Sequence, residues 1–275
     1  MPDETELFLP IKVYIYMTNY CHYSCDYCFF KEMGMLNSEQ LSEKQLEKII
    51  YYLKKYEVPL VAICGGDPVL HQSLPYFAKA VSENGNYPIL ATNAVDVSYN
   101  ELMELKLSGI KYLQIGIDSL SSSKDDNYKE EKHLRKVKKS IGYLKKLGLL
   151  FGFATCVTKR NLDELKEIAD YAKKSGAELL KLSVYSGDNP RYQLTDVQRV
   201  KLKEFVKEYN VEEIFVRYSP VVETLNFISK YPDLTIYANG DLVIEQTGEV
   251  IGNIDNSEPA IEYRKYLNRR NNNEI

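Results

Sequence analysis

The sequence predicts an α/β fold: a partial (β/α)6 TIM-like barrel with a small C-terminal β-hairpin and helical extension. Three observations predict it. Six apolar runs of strand length each precede a segment of helical periodicity. The connections between them are short, as in repeated strand–helix units. The residues suited to chemistry fall just after the strands, where sheets of this class place their sites.

Residues 13–18 are the first expected strand and run straight into a Cys-rich segment. Residues 38–56 read as a helix, because Leu46, Ile49, Ile50 and Leu53 share one face and Ser38 or Ser42 can cap it. Residues 60–64 form a continuous apolar strand ending in Gly65-Gly66-Asp67-Pro68, and 72–84 are helical. Strand three is 88–91, with a helix over 99–107, and strand four is 112–117. A long helix over 131–147 stops at Gly148. Its basic run, Lys132 to Lys146, alternates with Leu134, Val137, Ile141, Leu144 and Leu147, the pattern of a solvated amphipathic face. Strand five is 150–157, the helix over 162–174 stops at Gly176, strand six is 179–184, and 196–209 are helical.

Continuous apolar strands imply a parallel sheet buried on both faces. Six units point to a partial barrel, and an open doubly wound sheet is the alternative. A core of residues 1–210 and an extension of 211–275 are expected. In the extension, 214–218 are a candidate seventh strand. Residues 234–237 and 242–245 flank Ala238-Asn239-Gly240-Asp241, a hairpin signal. The polar end, 269–275, is expected to fray.

Composition narrows the function classes. Hydrophobic residues are 44% and charged residues 27% of the chain, enough for a core with a soluble surface. A net charge of −4 argues against a nucleic-acid partner. No apolar run reaches the roughly 18 residues that span a membrane, so no membrane partner is expected. The acidic start, Met1 to Glu6, has no basic region of a signal peptide, so the expected location is cytoplasmic.

There are five Cys, and three of them lie in Cys21-His22-Tyr23-Ser24-Cys25-Asp26-Tyr27-Cys28. An odd number of clustered thiols indicates a metal or redox centre rather than a disulfide framework. A [4Fe–4S] cube normally takes four thiolates, so three leave one iron open to a small molecule. Zinc held by three Cys and His22 is the competing reading, although zinc sites usually draw ligand pairs from two separated segments.

The run Met17 to Cys21, through Cys28-Phe29, resembles the signature loop of radical S-adenosylmethionine (radical SAM) enzymes. The resemblance implies that Cys21, Cys25 and Cys28 hold one [4Fe–4S] cluster whose open iron chelates SAM. It implies reductive SAM cleavage to a 5′-deoxyadenosyl radical, which takes hydrogen from a substrate, and it places Tyr27 near the adenine. Gly65-Gly66-Asp67-Pro68 resembles the family's Gly-Gly-Glu-Pro, which holds the SAM ammonium group, with Asp67 one methylene shorter. Thr92-Asn93-Ala94 resembles a Thr-Asn-Gly segment, which implies SAM contact for Asn93, although a strand-end cap is an equal alternative. The segment ending in Asp118-Ser119 is similar to a ribose-binding one. Thr155 on strand five and Val184 on strand six are implied SAM contacts.

Residues 236–254 look like the C-terminal region of SPASM and Twitch-type radical SAM proteins. Those bind auxiliary clusters through extra Cys, whereas here no Cys follows Cys156 and Glu245 stands about where a ligand is expected. One cluster is therefore expected. The resemblance implies a peptide substrate in natural-product maturation and a flavodoxin- or ferredoxin-type reductant. A viperin-like enzyme acting on a nucleotide or other small metabolite is the enzymatic alternative, and an iron–sulfur electron carrier or sensor the non-enzymatic one. Cys64 and Cys156 are candidate hydrogen donors or plain space-fillers.

Overall fold

The computed structural model describes residues 7–121, 131–209, 215–219 and 231–273. Seven parallel strands follow one another in chain order: β1 (Lys12–Tyr16), β2 (Leu60–Cys64), β3 (Tyr87–Thr92), β4 (Tyr112–Gly116), β5 (Leu150–Val157), β6 (Leu179–Val184) and β7 (Phe215–Ser219). A doubly wound sheet would reverse its order part-way. Monotonic order puts every crossover helix on the same face, which curls the sheet as in a partial barrel. The barrel is not closed, because β7 ends the sheet on one side and β10 on the other.

The extension builds onto the free edge of β1. β8 (Leu234–Ile236) pairs with it in parallel, and β9 (Asp241–Ile244) and β10 (Val250–Asn253) follow antiparallel. The β8–β9 hairpin turns where Asn239-Gly240 was expected to turn it, with Gly240 at φ +86°. β10 was not foreseen from the sequence. Nor was the full reach of the last helix: of the end expected to fray, residues 269–273 are helical, which corrects the expectation for them, and 274–275 lie outside the described residues. Arg269 pairs with Glu249 at 2.8 Å, and the buried Tyr263 donates to the Pro232 carbonyl at 2.7 Å.

The helices are α1 (Phe29–Glu32), α2 (Glu43–Lys55), α3 (Leu74–Glu83), α4 (Tyr99–Leu107), α5 (Glu131–Leu147), α6 (Leu165–Ser175), α7 (Asp196–Tyr209) and α8 (Pro259–Asn273). Ser42 caps α2 through a reciprocal box with Gln45, and Ser98 caps α4 with Glu101. Such a box satisfies two donors that a helix end leaves open. Gly176 ends α6 in the left-handed conformation. On α5, Val137, Ile141, Leu144 and Leu147 are buried while Arg135, Lys138, Lys139, Lys145 and Lys146 are exposed, so these basic residues lie on a solvated helix face as expected, and the Lys132 side chain lies outside the described residues. Among the described residues, no helix is long and apolar enough to cross a membrane.

The sheet is two-faced. Val13 and Ile15, Val61 and Ile63, Leu113 and Ile115, Phe151 and Phe153, Leu180 and Leu182 are buried under the helices. Each such side chain contributes on the order of 1.5–3 kcal/mol. The other face lines a lumen, where Lys12, Tyr14 and Tyr16 of β1 and Lys181 and Ser183 of β6 are only partly covered. Burial on both faces, expected from the sequence, is therefore corrected for these strands: they alternate with period two, and their polar members face the lumen.

Candidate active site

The Cys segment is the loop leaving β1, and the residues before it are gripped by the turn that leaves β2. Gly66 N donates to the Thr18 carbonyl at 2.7 Å and Asp67 N to the Tyr20 carbonyl at 2.9 Å. A Cβ on Gly65 would stand 2.4 Å from Thr18 O, and one on Gly66 2.4 Å from Tyr20 O. Gly65 also has φ +149°. Glycine is required here because two backbones meet with no room for a side chain.

Within the loop, Tyr23 N donates to Cys21 Sγ at 3.4 Å and Asn93 Nδ2 to the same sulfur at 3.8 Å. Burial pushes the Cys21 thiol up. The Tyr23 amide pulls it down, while Asp67 and Cys28 push it further up. A metal taken up here must therefore displace a proton. Among the described residues, no three His, Cys, Asp or Glu side chains are posed around a single metal ion. His22 lines a groove with His71 and Asp96 that includes none of the three thiols, which does not favour zinc. Three thiols on one loop, with two N–H donors on the Cys21 sulfur, fit an iron–sulfur cluster better.

The implied SAM contacts divide into three groups. Asp67 is 2% exposed and accepts from Thr92 Oγ1 at 2.7 Å. Burial pushes its carboxyl up to about 6, against hydrogen bonds from Thr92, Val69 and Asn93. Asn93 is both a cap and a site neighbour: its Oδ1 accepts from Val95 N at 2.9 Å while its Nδ2 reaches Cys21. Ala94, where the resembling segment has Gly, sits at φ +54°.

The second group is a bridge. Tyr27 OH donates to Asp118 Oδ2 at 2.6 Å, and Cys156 N donates to Asp118 Oδ1 at 2.7 Å. Asn161 Nδ2 donates to the Asp118 carbonyl at 2.7 Å. The Cys loop, β4 and β5 are thereby joined through one carboxylate. Ser119 Oγ donates to Glu164 Oε2 at 2.7 Å. The third group faces the helices rather than the lumen: Thr155 is 1% exposed with its hydroxyl on the Ile117 carbonyl, and Val184 is buried at the end of β6.

The sequence reading missed a clasp. Tyr185 and Tyr192, after β6, pack with Tyr27 in an aromatic cluster that Cys25 and Cys156 also touch. Tyr185 OH donates to Glu32 of α1, and Tyr192 OH to Asp26 at 3.4 Å. A Tyr immediately after a strand was the available signal. Its partner Glu32 on α1 lies 153 residues away and leaves no local trace.

The radical SAM superfamily model matches residues 15–172, more than half of the chain, from the end of β1 through the Cys loop and β2 to β5. The chain belongs to the radical SAM superfamily. Among curated relatives it is 24% identical over 162 residues to the AdoMet-dependent heme synthase of Methanosarcina barkeri, covering 58% of this chain and 46% of that protein. It is 23% identical over 176 residues to the PqqA peptide cyclase of Bradyrhizobium diazoefficiens, covering 64% of this chain and 46% of that one. The chain thus spans about half the length of these relatives. Streptococcus suis SuiB, solved with its precursor peptide SuiA, shares the fold with a TM-score of 0.76 at 18% identity. That likeness covers 93% of this radical SAM chain and 64% of SuiB, more of the chain than residues 1–210 can supply, so it extends into the C-terminal strands.

Proposed function

We propose that this chain is a radical SAM enzyme acting on a peptide, with one [4Fe–4S] cluster on Cys21, Cys25 and Cys28. The observation that carries this reading is the Cys loop clamped backbone-to-backbone on Gly65-Gly66-Asp67 at the C-terminal ends of β1 and β2. A cluster with SAM bound there would supply one-electron cleavage of SAM and removal of a hydrogen atom from the substrate.

The protein's own part is position and exclusion of water. Asp67, held by Thr92, offers a buried carboxyl to the SAM ammonium group. Gly65 and Gly66 keep that turn against the loop, and Asn93 orients Cys21 while remaining beside it. Asp118 fixes Tyr27 through its hydroxyl, which sets the ring against the side of the site where adenine is expected. Ser119, Thr155 and Val184 act behind these residues, through Glu164, Ile117 and the end of β6. Residues 1–210 are the catalytic core and 211–275 the extension, whose strands β8 and β9 continue the sheet beyond β1; no Cys follows Cys156 to hold a second cluster. A flavodoxin- or ferredoxin-type protein supplies the electron.

A peptide substrate is supported by the fold shared with peptide-bound SuiB and by the PqqA peptide cyclase relative. The test is anaerobic: the cluster is reconstituted, dithionite and SAM are added, and 5′-deoxyadenosine is measured. About four iron atoms per chain and turnover of SAM are expected. A fully loaded protein that leaves SAM intact would overturn the reading.

A further inference from the structure

On the lumen wall, β1, β8 and β9 bring together groups that neither the cluster nor SAM requires. The rings of Tyr16 and Tyr237 lie 5.0 Å apart at 35°. Glu245, at the end of β9, accepts from the Thr235 hydroxyl, and its amide donates to the Asp233 carbonyl at 3.0 Å. Thr235 is the register partner of Tyr14 and stands two residues before Tyr237 on the same face of its strand, so the Glu245 carboxyl on its hydroxyl lies one step from the Tyr16–Tyr237 ring pair. Among the described residues neither phenol hydroxyl has a hydrogen-bond partner, and neither is sealed from solvent.

Glu245 is reached by solvent, as a lumen-lining group must be, yet burial and then Asp233 push its carboxyl up. The Thr235 hydrogen bond, Lys181 across the lumen and Lys12 pull the other way and do not prevail. Lys12 shows how this wall treats a cation: its ammonium stands 4.5 Å from the Tyr14 ring centroid and 3.0 Å from Asp233. That pair is already complete. One step along the wall, a second carboxylate stands beside two aromatic rings.

We propose that Glu245, Tyr16 and Tyr237 form a substrate subsite for a protonated primary amine. The assignment rests on the reading of the lumen as the substrate chamber of a radical SAM enzyme. An ammonium group has three N–H donors and no acceptor, and this corner offers a carboxylate and two phenol oxygens. Aromatic faces add cation–π attraction. A guanidinium fits less well, because its fork needs both carboxylate oxygens and Thr235 holds one.

The test uses holoenzyme with cluster and SAM under anaerobic conditions. It is titrated by calorimetry and by melting shift with N-acetyl-lysine methylamide and with the norleucine and arginine counterparts. The lysine probe should bind about tenfold tighter than norleucine, with arginine between them. Glu245→Gln should reduce the lysine preference to about twofold and leave norleucine unchanged. Tyr237→Phe keeps the ring and loses one acceptor, so it should weaken lysine alone by about threefold. This second variant preserves the test should Glu245→Gln fail to fold. Wild-type protein that treats lysine and norleucine alike, or variants that keep the preference, would overturn the subsite. Formation of 5′-deoxyadenosine by the same wild-type sample is scored separately: none at all sinks the proposed function, while the probe preference alone decides the subsite.

Discussion

At the rim around the Cys loop, the polar side chains are tied to one another. Thr92 holds Asp67, Tyr27 and the Cys156 amide share Asp118, and Ser119 holds Glu164. On the lumen wall below, Tyr16 and Tyr237 have rings in contact and, among the described residues, hydroxyls without a hydrogen-bond partner, near a carboxyl pushed up by burial. A tied group fixes geometry before any ligand arrives, whereas an open one leaves hydrogen bonds for a ligand to complete. This difference is what the proposed function asks for, with a cofactor cradle at the rim and a substrate surface on the wall.

The hardest blow to the rim is Cys25→Ala. It should remove the cluster and abolish 5′-deoxyadenosine formation, whereas Cys156→Ala should keep both iron and SAM turnover. Iron analysis beside the activity assay checks the pair. Next is Gly66→Ala, which drives a methyl against the Tyr20 carbonyl, and backbone cannot yield as a side-chain tip can. A loss of about 1–3 kcal/mol is expected in urea melts. Asp118→Asn removes the charge that two donors share, at a cost of roughly 1–3 kcal/mol, with the cluster still loaded. Equal stability of this variant and wild type would show that the rim is not organised by that bridge.

The wall should respond in the opposite sense. The Glu245 carboxyl is raised in the fold above its ordinary 4.5, so ionisation disfavours the folded state above the folded pKa. That penalty is relieved as pH falls through the raised value and is absent below the unfolded one. Glu245→Gln should therefore be at least as stable as wild type at about pH 8, with the gap closing toward about pH 5. A variant markedly less stable at the higher pH would make Glu245 a structural partner. The smallest effect is expected at Ala94, a non-glycine residue at φ +54°. Relief of left-handed strain, about 1 kcal/mol, is partly offset by loss of a buried methyl, so Ala94→Gly should raise stability by a few tenths of a kcal/mol.

Much of this was legible in the residues. The bounds of β2, α4, α5, β5, β6 and α7 follow from apolar periodicity and Gly or Ser punctuation, because those signals act within a few residues. The Cys spacing and the Gly-Gly-Asp turn were legible for the same reason. The lumen was not. β1 and β6 were taken as apolar throughout, although Lys12, Tyr14, Tyr16, Lys181 and Ser183 recur at every second position. A period of two says that one face differs from the other, and only the curl of the sheet decides that the second face encloses a chamber.

By itself, then, the sequence determined the alternation of strands and helices, the three thiols and their neighbours in the chain, and the hairpin at Asn239-Gly240. The tertiary structure decided what those pieces meet. It spent the carboxylate of Asp118 on Tyr27 and the Cys156 amide, turned Thr155 away from the lumen, and set the Tyr237 ring on Tyr16 across more than two hundred residues of chain. The reason is physical. Local structure follows from backbone dihedrals and nearby side chains, whereas a site is made by groups that sheet register and helix packing bring together, and no short stretch of sequence encodes that.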